Sequence, residues 1–155
     1  MSYCVSSMAS GEAPEAVIAR IAGLLATAGI PYMLTGSLAS GFHGAPRASH
    51  DVDLVIAPTL GSLERFLQLL PEDEYYVSRD AALQAYGAES LFNVIEFATA
   101  WKIDFIMRKA RRFSQVEFAR RTVAKVGDVE LAVATAEDVL ISKLEWAKLT
   151  ESERQ

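Results

Sequence analysis

The run Asp51-Val52-Asp53-Leu54-Val55-Ile56 constrains this chain more than any other stretch. Side chains alternate along a β-strand, so Asp51 and Asp53 share one face while Val52, Leu54 and Ile56 share the other. Two neighbouring carboxylates repel, and setting them beside a buried apolar surface adds a desolvation cost. A cation between them relieves both, and oxygen-only ligands suit a hard divalent ion such as magnesium. Upstream, Tyr32 to Thr35 reads as a short strand ended by Gly36, with Ser37 placed to cap a short helix over 38–42. Backbone N–H groups at such a helix start favour an anion.

A third acid interrupts another apolar run, Lys102-Ile103-Asp104-Phe105-Ile106. An aspartate inside a central strand is unfavourable without a partner. If this strand lies beside 51–56, Asp104 joins the other two acids on one face. Three carboxylates can then hold two divalent ions about 3.5–4 Å apart, the geometry for in-line phosphoryl or nucleotidyl displacement. Asp-x-Asp alone is a weak signal, because such pairs are common at turns and edges. Joined to Gly36-Ser37 upstream and Asp104 downstream, it becomes far more specific.

The rest of the chain supplies a frame. Val17, Ile18, Ile21, Leu24, Leu25 and Ala28 recur at helical spacing after Pro14, and Gly29 and Pro31 end that helix. Thr59 caps a second helix carrying Leu60, Leu63, Phe66, Leu67 and Leu70, stopped by Pro71. A brief strand over 75–77 and a short helix over 80–86, ended by Gly87, follow. Runs 91–97 and 102–107 read as a hairpin or as adjacent antiparallel strands, and 123–126 with 129–133 as a hairpin around Gly127-Asp128. Thr135 to Asp138 resembles a weakened capping box opening a last helix, 136 to about 149. These elements predict an α/β (α+β) fold: a small mixed sheet with helices packed mainly on one side. The organisation expected is a flexible leader over 1–11, one domain over 12–150 and a polar tail over 151–155.

At 155 residues with 51% hydrophobic content, the chain can bury a real core. No apolar run approaches the ~20 residues that span a bilayer, and the first eleven residues lack the basic start and apolar stretch of a secretory signal. Cys4 is the sole cysteine, which excludes an internal disulfide and suits a cytoplasmic location. A net charge of -5 argues against a protein that coats nucleic acid. Against that balance, Arg108, Lys109, Arg111, Arg112, Arg120, Arg121 and Lys125 are opposed locally only by Glu117. A solvated helix face and a landing strip for phosphates are equally good readings of that run. His43 and His50 suit loop-ordering hydrogen bonds, no Cys–His spacing suits zinc, and Ser37 has no histidine base. Residues 36–41 lack the Gly-Lys-Ser/Thr of a Walker loop. Trp101 and Trp146 read as core or interface, and Glu96 as a neighbour of the acids whose register is open.

The set Gly36-Ser37, Asp51-x-Asp53 and Asp104 resembles the signature of the nucleotidyltransferase superfamily that includes DNA polymerase beta. His43 to Leu54 and Glu137 to Leu144 are similar to small bacterial stand-alone members, including toxin-like nucleotidyltransferases of toxin–antitoxin and abortive-infection systems. The likeness extends from Tyr32 to Lys148. It implies transfer of a nucleoside monophosphate from a triphosphate such as ATP to a hydroxyl of an RNA 3′ end, a protein or a small molecule. The basic segment tilts the acceptor towards RNA. It further implies that Gly36 and Ser37 hold the triphosphate, and that Asp51, Asp53 and Asp104 hold two Mg2+ ions, with Mn2+ as a substitute. Arg47 would approach the phosphates or the acceptor, and Lys143 would reach a phosphate. A cognate antitoxin or toxin protein is the partner implied, and a membrane is not. Some relatives continue into a longer helical C-terminal region, so truncation of that region is expected here. The alternative is a catalytically inactive, nucleotidyltransferase-like binding subunit of a toxin–antitoxin system.

Overall fold

The computed structural model describes residues 12–36, 38–39, 50–126 and 128–152. Helix α1 runs Pro14–Ala28, with proline where its missing N–H costs nothing. Gly29 ends it at φ 76°, the left-handed conformation, and the Ile30 N–H donates back to the Leu25 carbonyl at 2.9 Å. Helix α2, Leu60–Leu69, opens on a capping box: the Thr59 hydroxyl accepts from the Ser62 N–H, and the Ser62 hydroxyl accepts from the Thr59 N–H.

Among the described residues, seven strands form one mixed sheet. They are β1 Tyr32–Thr35, β2 Asp51–Ile56, β3 Tyr75–Val77, β4 Leu91–Glu96, β5 Lys102–Met107, β6 Thr122–Val126 and β7 Val129–Val133. Their spatial order is β3-β4-β5-β2-β1-β7-β6. Strand β2 pairs parallel with β5 and β1 parallel with β7, while every other neighbouring pair is antiparallel. The adjacent strands over 91–107 and the hairpin over 123–133 therefore form as their patterns predict; Gly127, at the hairpin turn, lies outside the described residues.

Alternation decides which side of the sheet is the core. Val52, Leu54 and Ile56 on β2, Ile103, Phe105 and Met107 on β5, and Phe92 and Val94 on β4 are all buried. Phe105 stacks on Phe92 with ring centres 5.1 Å apart and meets Phe66 of α2 edge-on at 5.2 Å. Helices α1 and α2 pack on each other and bury Val17, Ile18, Ile21 and Leu25 with Leu63, Phe66 and Leu67. The opposite face of β2, β5 and β4 carries the polar and half-exposed residues, including all three acids of interest.

Two elements depart from the expected pattern. Helix α3 runs Arg79–Ala88, because Ser78 caps it by accepting from the Ala81 N–H. Gly87 sits inside it, and the left-handed closing residue is Glu89 at φ 49°. Helix α4, Arg112–Ala119, had no periodic signal of its own and buries only Glu117 and Phe118. Helix α5 covers Ala136–Ser152.

Candidate active site

The site is built by three neighbouring strands and the residue that ends a fourth element. Across β2 and β5 the register sets Asp53 directly opposite Asp104 and Asp51 opposite Lys102. Residues opposite one another in paired strands share a face, so Asp51, Asp53 and Asp104 stand on the open side of the sheet. The row through Asp53 continues to Thr35 on β1 and, through Asp104, to Asn93 on β4. The parallel pairing of β2 with β5 brings together acids 51 residues apart along the chain, 104 minus 53.

Gly36 fits this row for two reasons. Its φ of 73° belongs to the left-handed region, where a side chain is strained. A Cβ there would also lie 2.2 Å from Asp53 Oδ2. The glycine thus lets the end of β1 close over a carboxylate, which no other residue could do without moving Asp53.

The electrostatics record the crowding. The Asp53 carboxyl is pushed up to about 6, first by burial, then by the negative charges of Asp104 and Asp51 and by its hydrogen bond with Asp104. Lys102 opposes this shift only in part. Asp104 is held in place from two sides. The Asn93 side-chain amide donates to Asp104 Oδ1 at 3.1 Å, and Lys102 Nζ lies 3.4 Å from that same oxygen.

Among the described residues, no three His, Cys, Asp or Glu side chains already form a closed set of metal ligands. The donors are nonetheless the right type for Mg2+. That ion keeps waters and is held by one or two carboxylates plus substrate phosphates more often than by an all-protein cage. An opposed carboxylate pair whose charge Lys102 offsets only in part, with a third acid one row along, matches that mode.

Of the other expected site residues, Ser37 and Arg47 lie outside the described residues, as do His43 and residues 40–42 of the helix expected over 38–42. Lys143 is on the exposed surface of α5. Glu96 is not a neighbour of the acids: alternation turns it to the core side, where Arg20 Nε and Nη2 donate to it at 3.1 and 2.8 Å and the Tyr75 hydroxyl at 3.2 Å. Trp101 is buried, with its ring 5.2 Å from that of His50, whereas Trp146 is 63% exposed on α5. Lys102 and Asn93 are the site residues that sequence reasoning missed. Lys102 was findable, since it stands two positions before Asp104 and must share its face.

No family model matches the chain, and no curated protein matches it. Among solved structures, it is similar to the TM1012 protein of Thermotoga maritima, provisionally named a nucleotidyltransferase. The TM-score is 0.63 at 16% identity, over 90% of this chain and 88% of that one. The fold is nucleotidyltransferase-like. Two Helicobacter pylori structures also match at 17% identity and a TM-score of 0.44. One is JHP933 and the other a protein provisionally named a nucleotidyltransferase; this chain covers 57% and 59% of their lengths.

In this nucleotidyltransferase-like fold the basic segment starts where β5 ends, about 13 Å along the strand from Asp104 at ~3.3 Å per residue. Much of its charge is already engaged. Arg111 Nη2 meets Glu145 at 2.8 Å, and the Arg120 guanidinium forks onto the buried Asp138, with Nε donating to Oδ2 at 2.8 Å. Arg108 and Arg121 both stack on Phe118, 5.3 and 4.2 Å from its ring centre. Lys109, Arg112 and Lys125 are exposed.

Proposed function

We propose that the protein is a nucleotidyltransferase that moves a nucleoside monophosphate from a triphosphate to a hydroxyl. The observation that carries this reading is the direct opposition of Asp53 and Asp104 on the open sheet face, with Asp51 beside them. Gly36, closed over Asp53, favours a backbone approach to the triphosphate there. Ser37, Arg47 and Lys143 are assigned to phosphate contacts on sequence likeness. Bound Mg2+, or Mn2+, would polarise the acceptor oxygen and neutralise charge on the leaving pyrophosphate.

The chain's own acids then have distinct tasks. Asp51, Asp53 and Asp104 supply the oxygens that hold the cations, and Asn93 keeps the Asp104 carboxylate aimed at the open face. In the reaction the acceptor oxygen bonds to the α-phosphorus, the α–β bridging bond breaks, and pyrophosphate leaves. The hydroxyl proton passes to a carboxylate of the acid row acting as general base. The exposed cations Lys109, Arg112 and Lys125 favour a polyanionic acceptor, which makes an RNA 3′ end the acceptor class to try first.

The test is transfer of label from α-labelled triphosphates to cell RNA and protein in Mg2+. Asp53→Ala is expected to reduce transfer by at least 1,000-fold, the order of effect for removing a metal-and-base carboxylate. Transfer that persists in this variant would remove the assignment. A second reading, a non-catalytic subunit of a toxin–antitoxin pair, draws on Leu140, Leu144, Trp146 and Leu149 of α5, all more than half exposed. It predicts a stable complex with a cognate protein and no label transfer.

A further inference from the structure

Lys102 occupies an unusual place for a lysine. It is opposite Asp51 on one side and Ile95 on the other, and two residues before Asp104 on the same strand. Its ammonium is 3.4 Å from Asp104 Oδ1, the oxygen that also accepts from Asn93. Among the described residues, the one cation within ion-pair distance of Asp104 is thus a side chain of the same strand. The side chain is 43% exposed against 17% for Asp104, so its head can swing to water while its stem stays on the sheet.

We propose that Lys102 is a built-in surrogate cation: it neutralises the acid cluster when no divalent ion is present and gives way when one binds. This inference rests on the reading of the acids as a cation site. It deepens that reading by naming what sets the site's affinity. Lysine, unlike arginine, suits the part, because a compact ammonium on a flexible stem leaves without breaking a fixed fork of hydrogen bonds. The cost of moving it raises the divalent concentration at which the site fills. The site is thereby biased towards loading metal together with a triphosphate, whose phosphates can receive the displaced ammonium.

The experiment is calorimetric titration of the wild type, Lys102→Met and Lys102→Arg with Mn2+ alone, at low and high salt. Methionine keeps most of the apolar stem and removes the charge. The expected result is that Lys102→Met binds Mn2+ about tenfold more tightly than wild type, as one charge repelling a divalent ion a few ångströms away requires. The difference should shrink at high salt. Lys102→Arg should bind no more tightly than wild type, and the metal-free melting temperature of Lys102→Met should fall. A merely structural lysine would lower stability without tightening metal binding. Wild-type affinity, or weaker binding, in a folded Lys102→Met overturns the surrogate role while leaving the cation site standing. Absence of Mn2+ binding in all three proteins overturns both.

Discussion

The acid row of the sheet and the basic stretch around α4 are both dense in charge, and the chain treats them in opposite ways. Around α4 several of the charges are matched. Arg120 is forked onto Asp138, Arg111 meets Glu145, and Arg108 and Arg121 lie on the two-sided ring of Phe118. Asp138 is accordingly held below the usual carboxylate range, chiefly by its hydrogen bonds with Arg120. In the acid row two carboxylates face each other with one half-exposed ammonium between them and the solvent, and Asp53 is driven upwards to about 6. Folding relaxes charge in the first region and leaves it unrelaxed in the second. Unrelaxed charge is where a ligand can contribute most free energy, so the contrast favours the acid row over the basic residues as the candidate functional site.

The contrast can be broken at its ends. The largest effect is expected for Gly36→Ala, which adds a Cβ 2.2 Å from Asp53 Oδ2 at a left-handed residue. It should destabilise the fold by about 3 kcal/mol or more and abolish triphosphate binding, checked by urea unfolding and fluorescent-nucleotide titration. Next comes Asp138→Ala. It strips Arg120 of its partner and empties a fully buried position. The cost should be about 2 kcal/mol, moderated because the half-exposed Arg120 can turn to water. Label transfer per folded molecule should be unchanged, which separates this structural ion pair from the acid row. The smallest effect is expected for Arg111→Ala: its bond to Glu145 joins two side chains that are both more than two-fifths exposed. Such a pair contributes under about 1 kcal/mol, so the melting temperature should barely move.

Much of this was legible from local pattern. The alternation of Asp51 to Ile56 and Lys102 to Met107 declares which residues face out, and the Gly29 and Thr59 boundaries follow from capping chemistry alone. What alternation cannot supply is register between strands distant in sequence. Asp53 opposite Asp104 needs both the parallel pairing and a zero offset, and a slip of one residue would have turned Asp104 into the core. The place of Glu96 stayed open for the same reason: a charged residue near an acid motif invites grouping, yet its parity puts it with Phe92 and Val94 on the core side. Helix α4 was legible only as one of two readings of the basic run, a solvated helix face, and its bounds were not, because its apolar residues make no core-facing stripe and Phe118 is covered by arginines from outside the helix. Lys102 was not singled out, since its place beside Asp51 exists only once β2 lies alongside β5.

The most direct measurement of the central claim is thermal unfolding of wild type and Asp53→Asn across pH, with and without millimolar Mg2+. The Asp53 carboxyl is raised in the fold, so its favourable contribution is complete below its ordinary value of 3.8 and is lost as pH rises through about 6. Without metal, Asp53→Asn should therefore be more stable than wild type at about pH 8, by roughly 1–2 kcal/mol after allowance for solvent screening, and no more stable at about pH 4. Mg2+ should raise the wild-type melting temperature at the higher pH, much less at the lower, and hardly at all in Asp53→Asn. A wild type indifferent to Mg2+ at the higher pH, or an Asp53→Asn variant that responds equally, would contradict the claim that a divalent cation resolves the opposition of these acids.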